Sequence, residues 1–152
     1  MQTKRLTDTL SVTGQIDPDD IARLAAQGFR SVINNRPDGE GDDQPRSEAL
    51  ASAAQQAGLD YRHIPIVPGQ LQDSQVGAFT DALEQMPGPT LAFCRTGTRS
   101  TMLWALGAVH DGNRTVDDVL ETAAQAGYDL AGLKPRLAQA AASPKSGEKG
   151  SA

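Results

Sequence analysis

An α/β domain, with a mostly parallel central sheet flanked by helices, is predicted by three observations. Short β-branched runs alternate with segments of helical periodicity, and Gly, Pro and Asp punctuate the joins. The 152 residues suffice for a single domain with a real core.

The elements follow in order. "LSVTG" reads as a short strand ending at Gly14. "DPDDIARLAAQGF" opens a helix with Asp17 as N-cap and Pro18 at the first helical position. Ile21, Leu24, Ala25 and Gly28 fall at helical spacing, and Gly28 stops the helix. "RSVINN" is a β-branched strand. "RPDGEGDDQP" is a loop, and its Asp38, Glu40, Asp42 and Asp43 are expected to be solvated. "RSEALASAAQQAG" is an alanine-rich helix closed by Gly58. "LDYRHIPIV" is a strand running into Pro68-Gly69. "DSQVGAFTDALEQM" is a helix with Asp73 as its expected N-cap, and "PTLAFC" is a buried strand. Three helical segments complete the domain: "RSTMLWALGAVHDG", "TVDDVLETAAQAG" capped by Thr115, and "LAGLKPRLAQAA". The domain is expected over residues 1–142. Ser143–Ala152, "SPKSGEKGSA", reads as a disordered polar tail.

Composition excludes several functions. A net charge of −5 disfavours a nucleic-acid partner. A single cysteine excludes an internal disulfide, an internal resolving thiol and a multi-cysteine metal site; no metal or cofactor is expected. "MQTKRLTDTL" has no apolar signal core, and no run approaches the roughly 18 apolar residues of a membrane span. A cytoplasmic protein without a membrane partner is the expectation.

The lone thiol, Cys94, lies in "LAFCRTGTRS", between a buried strand and a helix start. In parallel sheets, ligands bind at the carboxyl ends of strands. The backbone N–H groups of residues 95–100 can curl above the sulfur, and a helix N-terminus favours an anion there. Gly97 permits the backbone of such a nest, and Arg99 offers a forked donor for oxyanions. Arg95, Thr96, Thr98 and Ser100 complete the candidate loop. The two threonines serve through backbone N–H groups; Ser100 donates to the sulfur or stabilises the helix start. These groups favour a thiolate, the form that attacks phosphorus or sulfur centres. Arg36, in "NNRPDGE", is a candidate for the same pocket or for a salt bridge.

"LSVTGQIDPDDIARLAAQGFRSVINNRPDGE", "GLDYRHIPIV" and "FCRTGTRS" together resemble the phosphatase-like domain of beta-lactamase-hydrolase-like proteins, a relative of the dual-specificity and tyrosine phosphatases. The resemblance covers roughly residues 5–112. It implies a tyrosine/dual-specificity-phosphatase-like fold, Cys94 as nucleophile, Arg99 as anion binder and Arg36 near the pocket. The chain departs from the phosphatase pattern in three ways. Four residues, rather than five, separate Cys94 from Arg99. Phe93 stands where the pattern has histidine. Pro68 stands near the expected general acid, and Asp73 is the nearest acid beyond it.

Cys-x-x-Gly-x-Arg-Ser is instead similar to the active loop of single-domain rhodaneses, which carry a persulfide. Three readings follow. The first is a sulfurtransferase: Cys94 takes sulfur from thiosulfate or a persulfide and passes it to an external thiol. The alternative is a phosphatase acting on a phosphate ester through phosphocysteine. The third is a non-catalytic anion or redox-sensing module, a partner of a sulfide-oxidising, metallo-β-lactamase-like enzyme.

Overall fold

In the computed structural model, which describes residues 1–143, the strand that delivers Cys94 lies at the centre of the sheet. The strands are β1 (Lys4–Arg5), β2 (Leu10–Thr13), β3 (Ser31–Asn34), β4 (Asp60–His63) and β5 (Thr90–Phe93), in spatial order β1-β2-β5-β3-β4. All neighbours are parallel except β1, which runs antiparallel to β2. Every residue of β3 and β5 is buried, as expected of strands covered on both faces.

Alternation sorts the strand side chains between two cores. Val32, Leu91 and Phe93 face α1 (Pro18–Ala26) and α2 (Ser47–Ala57), where they meet Ile21, Leu24 and Leu50. Val12, Ile33 and Ala92 face the other side, where they meet Phe79, Leu103, Trp104 and Leu137. That layer is built from α3 (Asp73–Gln85), α4 (Thr98–His110), α5 (Val116–Gln125) and α6 (Lys134–Ala142).

Most of the expected elements are present. Asp17 caps α1 in a full capping box with Asp20, Thr115 caps α5 through Asp118 N–H, and Gly58 ends α2 at φ 79°. Four details differ. The two-residue β1 has no apolar pattern to announce it. The expected long strand at "LDYRHIPIV" stops at His63: the chain turns to place Ile64 N–H on Asn34 O and Ile66 N–H on Asn35 O, with Pro65 between them. Asp73 is the first residue of α3 rather than its cap. Gln72 is the N-cap, and its N–H donates to Gln75 Oε1 at 2.8 Å. The last segment divides into a 3-10 turn (Ala131–Leu133) and α6. The tail expected from Ser143 onward lies, beyond Ser143, outside the described residues. Among the described residues no helix is long and apolar enough to cross a membrane.

Candidate active site

Three parallel strand ends converge below one loop. Inserting β5 between β2 and β3 puts Cys94 between Thr13–Gln15 on one side and Asn34–Arg36 on the other. This is a strand-order crevice of the kind in which α/β proteins hold ligands.

The loop from Cys94 to Thr98 is clamped into shape. Gln15 N–H donates to Arg95 O at 3.2 Å, and a Cβ on Gly14 would come within 3.0 Å of that same carbonyl. Gly97 takes φ 97°, and its N–H donates to the buried Cys94 Sγ at 3.0 Å. Gly97 is also the N-cap of α4 and has no side chain to satisfy the first turn. The N–H groups of Arg99 and Ser100, second and third in that turn, therefore have no partner within the helix and are open to an anion. A capping Ser or Asp at 97 would take those donors and fill the space.

The other loop residues divide. Arg95 is exposed, and its side chain has no hydrogen bond or ion pair among the described residues. Thr96 and Thr98 pair their hydroxyls at 2.9 Å, and Thr98 N–H lies 3.4 Å from Thr96 Oγ1. Those hydroxyls do more than expected, because they hold the loop to itself. Ser100 does not donate to the sulfur. Its buried hydroxyl donates to Asn35 Oδ1 at 2.7 Å, while Asn35 Nδ2 donates to Ile64 O at 2.9 Å and Asn35 N–H to Phe93 O at 2.8 Å. Asn35 thus ties β3, β5, the 64–66 turn and the start of α4 together. Asn35→Ala would strand the Ser100 hydroxyl and the Ile64 carbonyl, and a loss of about 3 kcal/mol in chemical denaturation is expected.

Arg99 is where the structure adds most. Its Nη1 donates to Glu40 Oε2 and to Ile66 O, both at 2.7 Å, and its Nη2 donates to Glu40 Oε1 at 2.9 Å. Both Nη1 hydrogens and one Nη2 hydrogen are then committed. Among the described residues no oxygen accepts from the Nε–H and the second Nη2–H, which lie adjacent and parallel on one edge of the guanidinium, near the Cys94 sulfur, as a fork for an oxyanion. The guanidinium is held protonated first by Glu40, against some burial, and further by the nearby Cys94 sulfur.

Glu40 also accepts from Arg36 Nε at 2.9 Å, so one carboxylate buttresses two arginines. Arg36 itself is buried. Its Nη1 donates to Gln15 Oε1 at 2.9 Å, and its carbonyl meets His63 Nε2 at 2.8 Å. Of the two expectations for Arg36, the salt bridge is present, to the same Glu40 that holds Arg99.

The acidic loop is solvated as expected, with Asp38 to Glu40 exposed, but the Glu40 side chain, 19 % exposed, is engaged by two arginines. Asp38 also has a job, accepting Ser47 N–H at 2.8 Å at the start of α2. In "DGEGDD" nothing singles out the residue that folds back. Only the glycine at 41 is a trace of it: a Cβ there would come within 3.0 Å of Arg36 Nη2. Hydrogen bonding from Arg99 is the main force holding the Glu40 carboxyl below its ordinary value of 4.5, with Arg36 adding to it and burial opposing. Glu40 is therefore an anion at neutral pH and not a proton donor.

A lowered folded-state value means the ion-pair contribution is complete above about 4.5 and is lost as pH falls through the lowered value. Glu40→Gln should flatten the acid limb of a stability-versus-pH curve. It should also reduce kcat/KM about tenfold, because Arg99 loses its charged buttress.

Asp73 is not at the site. It pairs with Arg136 at 3.0 Å and lines a groove between α3, α4 and α6 that contains none of the loop residues. Tyr128, unremarkable in the sequence, donates to Thr96 O at 3.1 Å and lies against Gly97.

Residues 2–111 match the family model described as the beta-lactamase hydrolase-like protein, phosphatase-like domain. The beta-lactamase hydrolase-like protein of Xylella fastidiosa is 37% identical over 125 residues, covering 82% of this chain and 29% of that protein. The chain thus spans less than a third of the length of the curated relatives it matches. The crystal structure of a candidate phosphatase from Neisseria meningitidis is 32% identical with a TM-score of 0.82, covering 90% of this chain and 96% of that one. A mouse protein described as a candidate dual-specificity phosphatase shares the fold at 14% identity and a TM-score of 0.65, covering 95% of this chain and 89% of its own. The phosphatase-like α/β architecture expected from the sequence is borne out.

Proposed function

The chain belongs to the phosphatase-like domain family of beta-lactamase hydrolase-like proteins, and from that premise we propose that it is a cysteine-dependent hydrolase acting on phosphate monoesters with good leaving groups. One observation carries this reading. Beside the Cys94 sulfur stands an arginine with a donor fork that no oxygen of the described residues accepts from, above a helix start whose Arg99 and Ser100 N–H groups have no side-chain cap. Such a set fits the equatorial oxygens of a phosphoryl group in transfer. The Cys94 thiolate attacks phosphorus, the S–P bond forms, and the P–O bond breaks with its electron pair leaving on the ester oxygen. Water then cleaves S–P, releasing phosphate and restoring the thiolate.

Neither Glu40 nor Asp73 is placed to donate a proton to the leaving group. Glu40 is ionised between two arginines, Pro68 cannot titrate, and Asp73 is turned toward Arg136. Aryl esters, whose oxygen leaves without a proton, are therefore preferred over alkyl esters.

The second reading, sulfur transfer from thiosulfate or a persulfide to an external thiol, rests on the four-residue spacing between Cys94 and Arg99. The smaller loop and the missing acid suit sulfite as a leaving group. Phosphate release from an aryl phosphate, compared with mass spectrometry of Cys94 after thiosulfate, separates the two. Release that depends on Cys94, with no sulfur retained on the thiol, is the expected result. No release together with a stable one-sulfur adduct would transfer the assignment to the second reading.

A further inference from the structure

The Thr96–Gly97 peptide is held at both poles. Its carbonyl accepts from the Tyr128 hydroxyl at 3.1 Å, and its N–H donates to Cys94 Sγ at 3.0 Å. A donor on the carbonyl of an amide polarises it and strengthens the N–H at its other end. It also fixes the rotation of the peptide plane, and with it the aim of that N–H. Tyr128 comes from outside the loop, on the connection that follows α5, and its ring is half-buried. It is seated tightly: a Cβ at Gly97 would overlap both its hydroxyl and its ring, so the glycine and the tyrosine are fitted to one another. Burial, and then the nearby Cys94 sulfur, push the phenol above its ordinary value, so it keeps its proton and remains a donor at neutral pH.

We propose that Tyr128 is a positioning residue for the nucleophile: acting through the Thr96–Gly97 peptide, its hydroxyl fixes the N–H that stabilises the Cys94 thiolate. The inference rests on Cys94 being the reacting group, whichever of the two chemistries it performs. The ionisable groups facing the sulfur are Arg99 from α4 and Tyr128 itself. Glu40 and Arg36 stand behind Arg99. Arg95 is turned to solvent, and Asp129, next to Tyr128, accepts Ala131 N–H. Apart from the Tyr128 phenol itself, which is neutral at neutral pH, none of these groups is removed when Tyr128 loses only its hydroxyl.

The test is the rate of Cys94 alkylation by iodoacetamide as a function of pH, in the full chain and in Tyr128→Phe, which retains the ring and its packing. Loss of one hydrogen bond acting on the thiolate should raise the midpoint of the profile by about half a pH unit to one unit. The limiting rate at high pH and the melting temperature should stay close to those of the parent. An unchanged midpoint would overturn the proposal. So would a lowered melting temperature without a shift in midpoint, since Tyr128 would then be a packing residue only. The readout needs no turnover, so it stands or falls separately from the phosphatase reading.

Discussion

Cys94→Ser is expected to retain the fold and lose at least about 10⁴-fold in turnover of an aryl phosphate. The substitution is nearly isosteric at a buried position, so the strand end and loop remain in place. The chemistry does not survive. A serine hydroxyl is a poor nucleophile without a base to take its proton, and the ionisable neighbours here are Arg99 and Tyr128, neither of which is a base at neutral pH. His63 is committed to Arg36 O. Steady-state release of phosphate measures the loss, and circular dichroism checks the fold. Residual activity within tenfold of the parent would mean that Cys94 is a bystander.

Gly97→Ala should have the next largest effect on activity, smaller than that of Cys94→Ser, while leaving every ionisable group in the chain untouched. At φ 97° a side chain is strained, and the new Cβ would overlap the Tyr128 hydroxyl and press on Thr13 O at 3.2 Å. The loop must then move, which breaks the N–H bond to Cys94 and tilts the first turn of α4. A loss of about 100-fold in kcat/KM is expected, with about 2 kcal/mol of stability. Activity assays and denaturant titration read the two effects. Gly97→Ala combined with Tyr128→Phe should recover little, because the clash involves the ring as well as the hydroxyl.

Those residues differ in how readily the sequence discloses them. Cys94, Gly97 and Arg99 are legible because their chemistry is local: a thiol, a glycine and a guanidinium within six positions at a strand-to-helix join. The strands and most helix ends are legible for a similar reason, since caps such as Asp17 and Thr115 act within their own turn. What escapes depends on distant partners. Glu40 is one of four acids in a loop, and only the folded chain selects it, 59 positions from Arg99. Asn35 looks like the end of a strand until Ser100, 65 positions on, reaches it. Tyr128 sits in an ordinary "AGYDL" and meets the loop only because α5 returns the chain over it. Ser100 illustrates the converse: its position beside the loop suggested a bond to the sulfur, but a buried amide offered a better acceptor.

The ionised state of Glu40 bears on which esters the proposed reaction favours. An ionised Glu40 orients Arg99 but cannot protonate a leaving alkoxide. Rates across a series of aryl phosphates should therefore depend steeply on the acidity of the phenol released.

In the proposed reaction Cys94 becomes the covalent acceptor of a phosphoryl group inside the 94–99 loop. Rapid acid quenching during turnover of an aryl phosphate, followed by peptide mass spectrometry, tests it directly. A phosphorylated peptide containing Cys94 is expected, absent from Cys94→Ser and more abundant when the leaving phenol is more acidic. A Cys94 peptide that stays unmodified throughout phosphate release, or that carries sulfur from thiosulfate and never phosphate, would contradict it.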